Sequence, residues 1–274
     1  MKTLALLLTA FSTIAFTTAF GADGAKPLRA LYVTGGCCHD YEHQKEIISK
    51  GVSARANVEW TIVQEGGSGT KHVPFEQSIY QNPDWAKGYD IVVHNECFAD
   101  DADPDYIERF LKPHREGLPG VVIHCSMHTF RALGNDKYRE FLGVKTTHHG
   151  PQHPLDVKVV NAGNPVMKGF PADFTTGPEE LYAIDRVFPT ATPLAKAGEK
   201  KKENGEWVPT GKENTIIWLN QYGKARVFGT TLAHNNVTMQ KDAYLDLLTR
   251  GILWASDKLD ENGQPKPGYG PHGK

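Results

Sequence analysis

The most constraining feature of the sequence is an alternation of short apolar runs with segments of helical periodicity. Apolar runs rich in Val, Ile and Tyr occupy residues 28–36, 58–64, 89–98 and 120–125. One helical stretch between them begins at Asp103, a natural N-cap that is followed by proline at the first helical position. Because strands that alternate with helices form parallel sheets, the sequence predicts an α/β protein with a doubly wound parallel sheet.

The second half of the chain is richer in short strands and turns. Residues 148–170 and 179–188 have the pattern of short strands, and residues 213–234 that of a hairpin turning at 221–224. We therefore expect extra β-strands and a hairpin in the C-terminal half, beside the parallel sheet.

The end of the chain sets the bounds of the domain. Residues 241–259 carry apolar side chains at helical spacing, and the Pro/Gly-rich residues 260–274 predict a flexible tail. No internal repeat or linker divides the rest, and 39% of the residues are hydrophobic, as in an ordinary globular chain. The sequence thus predicts one domain over residues 28–259.

The N-terminal segment has the pattern of a secretory signal peptide. Lys2 precedes a short apolar stretch, and small residues follow at Ala19, Gly21 and Ala22. Thr and Ser interrupt this stretch too often for a membrane span. We expect a signal peptide over residues 1–22, a secreted or periplasmic protein and no stable membrane insertion. The net charge of −2 does not indicate binding to nucleic acid.

The four cysteines are Cys37, Cys38, Cys97 and Cys125. Export permits disulfides, but four cysteines allow three pairings, and the spacing does not select one. Adjacent cysteines rarely bond each other, and no CxxC pair indicates a zinc ribbon. The sequence therefore favours free cysteines packed near strand ends.

Polar side chains follow four of the predicted strands. These strands end in residues 35–40 (GGCCHD), 94–96 (HNE), 124–125 (HC) and 234–236 (HNN). Ligands of doubly wound sheets bind beyond the carboxyl ends of the strands, although strand ends also meet water without any function. The candidate substrate-binding residues are His39, Asp40, His94, Asn95, Glu96, Cys125, His128, Tyr182 and Asn235. His43, His72 and His114 are interpreted as surface residues, and Glu179 as a solvated loop carboxylate.

Several segments together resemble the ThuA-like (trehalose-utilisation) family over about residues 28–258. They are LYVTGGCCHDYEHQ, GVVIHCSMHTF, PEELYAI and WLNQYGKARVFGTTLAHN. Ala225 and Ala233 stand where the family usually has glycine. The resemblance implies a flavodoxin-like fold of the class I glutamine amidotransferase-like type. It also implies a role in carbohydrate metabolism, on disaccharides or their 3-keto derivatives.

A cysteine nucleophile is one interpretation of the segment that begins at Cys125. Cys125-Ser126-Met127-His128 mimics the Cys-x-Gly-His element of class I amidotransferases. A thiol nucleophile needs a base that is itself oriented by a third group. The late His-Pro-Glu pair that supplies these groups is absent, because His153-Pro154 is followed by leucine. The sequence therefore favours Cys125 as a packing residue beside the site.

His124, Glu180 and His234 are the candidate catalytic residues. A His/His/Glu set matches zinc sites that keep one coordination position open. No local motif such as HExxH supports a metal, so a metal-free acid–base or sugar-binding cluster stays an alternative. No nucleotide is expected, because residues 66–71 (GGSGTK) lack the spacing of a phosphate loop.

Two functional hypotheses follow, and both have a small carbohydrate as partner. In the first, an exported enzyme acts on a disaccharide, a glycoside or its 3-keto form by hydrolysis, elimination or isomerisation. In the second, the protein is a non-catalytic periplasmic sugar-binding module. Aromatic residues near the site serve either hypothesis, although core packing is favoured for Trp218. The oligomeric state is left open.

Overall fold

The computed structural model describes residues 26–66, 69–71 and 77–271. The predicted signal peptide, residues 1–22, and His72 lie outside this part of the chain. Within it, no helix combines the length and the apolar character that crossing a membrane requires.

The described chain folds into strands and helices in the following order. The strands are β1 (Leu28–Gly36), β2 (Val58–Glu65), β3 (Ile91–Cys97), β4 (Gly120–Ile123), β5 (Val144–His149), β6 (His153–Asp156), β7 (Lys158–Val159), β8 (Thr175–Glu179), β9 (Tyr182–Val187), β10 (Ala191–Glu203), β11 (Glu206–Tyr222) and β12 (Ala225–Thr230). The α-helices are α1 (Tyr41–Ser53), α2 (Pro104–Glu116), α3 (Lys137–Leu142), α4 (Asn236–Met239) and α5 (Asp242–Ala255). A short 3₁₀ helix, His124–Met127, follows β4 directly.

The central sheet has the strand order β2-β1-β3-β4-β12-β11-β10-β7. The first five strands pair in parallel, and the last three join them antiparallel. The 2-1-3-4 order of the parallel part is that of flavodoxin-type sheets. The prediction of a doubly wound α/β fold with added antiparallel strands is confirmed.

Helices cover both faces of this sheet and create two apolar cores. Ile48 of α1 and Leu248 of α5 are buried in one core, and Ile107 and Phe110 of α2 in the other. The start of α2 is fixed as the sequence predicts, because the Asp103 carboxylate accepts hydrogen bonds from two backbone N–H groups of the first turn.

His114 of α2 corrects one expectation. The residue is fully buried, so its interpretation as a surface residue is wrong. It continues the apolar face of Ile107, Phe110 and Leu111 at helical spacing, which explains the burial. Burial, followed by the neighbouring His94, lowers the pKa of His114 to about 3. His43 is exposed, as expected.

The antiparallel part of the sheet includes a long ribbon, β10–β11. Its turn, Asn204-Gly205, has left-handed backbone at both residues (φ 50° and 91°), which favours this residue pair in tight hairpins. The predicted hairpin at 221–224 is present as the β11–β12 turn, but β11 begins at Glu206, well before the predicted strand.

Apart from β7, which pairs with β10 at the edge of the central sheet, the segment between α3 and β10 forms two small antiparallel sheets, β5-β9 and β6-β8. β5 contacts the His124–Met127 turn and β8 contacts α4. We call this segment, residues 144–187, the cap, because it lies against the carboxyl edge of the parallel strands.

Residues 260–271, part of the predicted flexible tail, are held against the domain. The backbone N–H of Asn57 donates to the carbonyl of Tyr269 (3.1 Å), and the Asn57 amide donates to that of Gly268 (3.0 Å). The Tyr269 ring packs on the core of α1 and α5. Buried apolar contact and satisfied backbone groups hold this Pro/Gly-rich segment where its composition predicts mobility.

The close contact between Gly229 of β12 and Trp218 of β11 yields a stability prediction. A Cβ at Gly229 would overlap the fully buried indole of Trp218, whose Nε1 donates to the Leu142 carbonyl. We expect Gly229→Ala to lower the free energy of unfolding by about 1–3 kcal/mol, the usual cost of overpacking. Urea unfolding measures this change.

The control is Gly198→Ala, because a Cβ at Gly198 meets no heavy atom within 4 Å. This variant is expected to stay within about 0.5 kcal/mol of the parent. Equal stability of the two variants would contradict the packing assignment.

Candidate functional site

A cleft of about 420 Å³ lies between the carboxyl edge of the parallel strands and the cap. It is lined by Cys37, Cys38, His39, Thr70, Cys97, Ala99, Cys125, His128, Arg131, His149, Gln152, Glu180, Tyr182 and His234. A larger cavity of about 880 Å³ runs along α2 but holds none of the predicted site residues. The smaller cleft is therefore the candidate functional site.

His124 occupies a sharp turn at the end of β4. Its backbone is left-handed (φ 44°), and the turn is anchored by Ser126, whose hydroxyl donates to the His94 carbonyl (2.9 Å). In α/β-hydrolases such a strained strand-to-helix turn presents the nucleophile. Here the residue with the left-handed backbone is His124, so the turn presents an imidazole. Cys125 is the next residue and does not hold this position. His124 Nδ1 donates to the Thr231 carbonyl (2.7 Å), which leaves the lone pair on Nε2, the nitrogen beside His234 and Glu180.

Three ligand-type atoms form a nearly regular triangle. His124 Nε2 lies 3.2 Å from His234 Nδ1 and 3.5 Å from Glu180 Oε2, and the third edge, from His234 Nδ1 to Glu180 Oε2, is 3.3 Å. The structure thus brings together all three residues of the predicted catalytic and metal set, although they come from three distant parts of the sequence.

His39 is the fourth member of this cluster. Its ring centroid lies 4.8 Å from that of His124 and 4.9 Å from that of His234, and its Nδ1 donates to the His234 carbonyl. Burial, followed by these two neighbouring imidazoles, lowers the pKa of His39 to about 3. His39 is therefore neutral near pH 7 and its Nε2 carries a lone pair.

Glu179 and Glu180 are adjacent in the chain, but their pKa values are shifted in opposite directions. Burial opposes the ionisation of Glu180, but the neighbouring imidazoles of His124 and His234 outweigh it and hold the Glu180 pKa well below its usual range. Burial dominates at Glu179 and raises its pKa. The expectation that Glu179 is a solvated loop carboxylate is wrong, because it is fully buried and accepts the His234 backbone N–H (2.8 Å).

Tyr182 and two histidines form a stack of rings in the cleft. The Tyr182 ring lies parallel to that of His128 (4.4 Å between centroids) and close to parallel to that of His149 (5.5 Å). The Tyr182 hydroxyl donates to His124 Nε2 at 3.5 Å, and His149 Nε2 lies 3.4 Å from Glu180 Oε2. The stack thus connects the aromatic wall of the cleft to the triangle.

A second depression of about 400 Å³ adjoins the other side of His39 and His234. It contains Asp40 and Asn235, both predicted to bind substrate. Each also caps a helix: Asp40 accepts the His43 N–H of α1, and Asn235 accepts two N–H groups of α4. Their side chains are therefore fixed in place at the rim of the site.

A trehalose-utilisation (ThuA) family model matches residues 29–255, most of the chain. The chain belongs to the ThuA family. Two solved structures agree, and both are described as putative ThuA-like proteins. The one from Parabacteroides merdae is 21% identical, covers 90% of this chain and 97% of its own, and has a TM-score of 0.63. The one from Bacteroides uniformis is 16% identical, covers 89% of this chain and 98% of its own, and has a TM-score of 0.63.

The fold recurs outside the ThuA family. A β-galactosidase from Bacillus circulans sp. alkalophilus is 11% identical and has a TM-score of 0.50. The match covers 88% of this chain and 32% of the β-galactosidase chain. At this identity the likeness shows the fold alone. No curated protein matches the chain significantly. The fold resembles the class I glutamine amidotransferase-like type, as expected from the sequence.

One departure from the ThuA pattern has a physical explanation. Ala233, where the family usually has glycine, adopts left-handed backbone (φ 75°) directly before His234. Glycine reaches this region without strain, whereas alanine must be held there by its surroundings. The hydrogen bond from the His234 N–H to the Glu179 carboxylate supplies such a constraint.

Three predicted substrate-binding residues lie in the interior of this ThuA-family fold. His94 and Glu96 are fully buried and joined by a 2.9 Å hydrogen bond, and Asn95 is 2% exposed. Asn95 donates to the Gln44 side chain, which in turn donates to the His234 carbonyl. In this conformation the three residues support the site from behind and do not line the cleft.

The cysteines correct a further expectation. All four form disulfides, Cys37–Cys38 and Cys97–Cys125, so the interpretation as free thiols is wrong. The ends of β3 and β4 bring the Cα atoms of Cys97 and Cys125 to 5.2 Å, an ordinary separation for a disulfide. In this state Cys125 offers no thiolate for nucleophilic attack.

Sequence reasoning missed several residues of the site. His149, Gln152 and Arg131 line the cleft, and the Gln152 amide lies 2.8 Å from His234 Nε2. The histidine-rich HHGPQH segment was a usable signal for His149 and Gln152. Glu179 and Arg131 carry no comparable local signal.

The Glu180–His234 contact yields a pH prediction. The hydrogen bond to Glu180 is the main cause that raises the His234 pKa above 6.5. In chelator-treated protein, Glu180→Gln should therefore lower the His234 pKa, because the imidazolium loses its anionic partner. NMR titration of the imidazole signals measures the change. An unaltered His234 pKa would contradict the contact.

Proposed function

We propose that the His124, His234 and Glu180 triangle binds a divalent metal ion such as Zn²⁺ and acts on a carbohydrate. The observation that carries this proposal is the length of the three edges, 3.2–3.5 Å. Tetrahedral zinc with bonds of about 2.0–2.1 Å places its ligand atoms about 3.3–3.4 Å apart. The triangle fits this spacing.

The protonation state of Glu180 suits a metal site. Ligands must be deprotonated, and the Glu180 carboxylate is ionised at neutral pH because its pKa is lowered. His124 is oriented by its hydrogen bond to the Thr231 carbonyl, as ligating imidazoles usually are. The Gln152 amide can turn its oxygen toward His234 Nε2, which would orient that ring in the same way.

Family membership supports a carbohydrate as the substrate class. The cleft offers the ring stack of Tyr182, His128 and His149 as an aromatic wall, with Arg131 and Gln152 as hydrogen-bond donors. Aromatic walls with a few polar groups are typical of small-molecule sites. We propose a disaccharide, a glycoside or its 3-keto derivative as the substrate.

The residues around the triangle suit proton transfer. A bound divalent ion would polarise a carbonyl oxygen or acidify a bound water. A 3-keto group acidifies the neighbouring C–H, so a base beside that carbonyl would start elimination or isomerisation. His149, 3.4 Å from Glu180 and exposed to the cleft, is placed to take this proton and to return it. The same arrangement would activate water for hydrolysis.

We also propose that the protein is exported. The support is the signal-peptide pattern of residues 1–22 together with two disulfides in the domain. Disulfides persist in oxidising compartments, which include the periplasm and the cell exterior.

The metal proposal predicts zinc binding by the purified protein. After zinc loading and desalting, elemental analysis should find about one zinc per chain, and a double variant, His124→Ala with His234→Ala, should lose it. The control removes two exposed imidazoles, His43→Ala with His148→Ala, and should keep the metal. A parent protein without divalent metal after loading would refute the proposal.

The enzyme hypothesis predicts turnover of at least one keto-sugar. The protein is incubated with disaccharides, glucosides and their 3-keto forms, and the products are followed by mass spectrometry. His124→Ala, Glu180→Gln and His234→Ala should each lower the rate about a hundredfold or more, the usual worth of a positioned acid or base.

The control for turnover is Glu108→Gln, because Glu108 lies on α2 and pairs with Arg115. This variant should keep the parent rate. Saturable sugar binding without turnover would instead identify a sugar-binding module, the second hypothesis. Turnover that survives all three site substitutions would show that the site lies elsewhere.

A further inference from the structure

The four cysteine sulfurs are gathered at one wall of the cleft. Cys37, Cys97 and Cys125 form a small buried cluster with Tyr41, and Cys37 is bonded to Cys38. The sulfurs of Cys37 and Cys97, which belong to different disulfides, lie 3.8 Å apart. The backbone supports this approach, because the Cys37 N–H donates to the Cys97 carbonyl.

The sulfurs differ in their access to solvent. Cys38 is exposed, whereas Cys37, Cys97 and Cys125 are 8%, 3% and 6% exposed. A reductant from solution therefore meets Cys38 first. Thiol–disulfide exchange requires direct contact between the attacking sulfur and the disulfide, so the Cys97–Cys125 bond is less accessible to a reductant than Cys38 is.

Each disulfide also adjoins a histidine of the site. Cys38 directly precedes His39, and Cys125 directly follows His124. Cys38 and His124 both have left-handed backbone, with φ of 83° and 44°. The two disulfides thus hold the two turns that position these imidazoles.

The geometry points to a thiol–disulfide relay that runs from the exposed Cys38, through Cys37 and Cys97, to Cys125. Its substrate is a dithiol reductant. The dithiol reduces the Cys37–Cys38 bond, becomes a disulfide itself, and leaves two thiols. Cys37 then gives its proton to solvent, and its thiolate attacks Cys97. The Cys37–Cys97 bond forms, the Cys97–Cys125 bond breaks, and the Cys125 thiolate takes up a proton.

The end point of the relay is a chemically altered site. Cys38 and Cys125 carry thiols, and the link between the His124 turn and β3 is exchanged for a link between β3 and the turn that follows β1. What the Cys125 thiol does beside His124 rests on the proposed function. The relay itself depends only on the sulfur positions.

The test maps disulfides during limited reduction. The oxidised full chain is treated with one equivalent of dithiothreitol in the presence of a chelator, so that metal binding does not enter the result. Samples are quenched with acid, alkylated, digested and analysed by mass spectrometry. We expect thiols at Cys38 and Cys125 together with a Cys37–Cys97 peptide.

A matched pair of variants tests the order of the relay. In Cys38→Ser, Cys37 begins as a thiol, so the Cys37–Cys97 bond should form without added reductant. In Cys37→Ser, reduction of Cys97–Cys125 should be slowed tenfold or more relative to the parent. Circular dichroism checks the fold of both variants.

Two outcomes would overturn the relay. One is a parent protein in which the Cys37–Cys97 peptide never forms during reduction. The other is a Cys97–Cys125 bond that is reduced equally fast in the parent and in Cys37→Ser. The parent experiment needs no variant, so the proposal can fail even where a substitution disturbs folding.

Discussion

Parallel pairing of β1, β3, β4 and β12 is the constraint on which the site depends. Parallel strands place their carboxyl ends at one edge of a sheet, and the residues that follow them must turn there. Three such turns carry His39, His124 and His234. The backbone is left-handed at His124 and at Ala233 in two of these turns, and the three imidazoles lie together. The cap adds Glu180 from the opposite side.

The sequence was sufficient for the parallel part of the fold and for locating several residues of the candidate site. The apolar runs predicted the bounds of the first four parallel strands closely, and Asp103 predicted the start of α2. His124 and His234 became candidates because they follow strand ends. In a parallel sheet the residues that follow the strands lie at the same edge, whatever their separation in the sequence. The β10–β11 ribbon was missed, although Asn204-Gly205 is a recognisable hairpin turn.

Other features depend on three-dimensional placement that no local pattern records. Nothing in the sequence says which of Glu179 and Glu180 is buried against a backbone N–H and which faces two imidazoles. Cys97 and Cys125 are 28 residues apart, and only the adjacency of β3 and β4 makes them partners. His114 is different, since its helical spacing from Ile107 and Phe110 already indicated burial.

The contacts among His39, His124 and His234, which form the centre of the site, join residues that are far apart in the sequence. This separation has a consequence for how the protein folds. The contacts of His124 with Thr231 and with His234 span 107 and 110 residues, and that of His39 with His234 spans 195. Contacts of such separation form late, after most of the loop-closure entropy has been overcome. A nascent chain therefore cannot complete this centre until β12 has joined the sheet. Any ligand that needs all three histidines selects the finished fold and stabilises it by mass action.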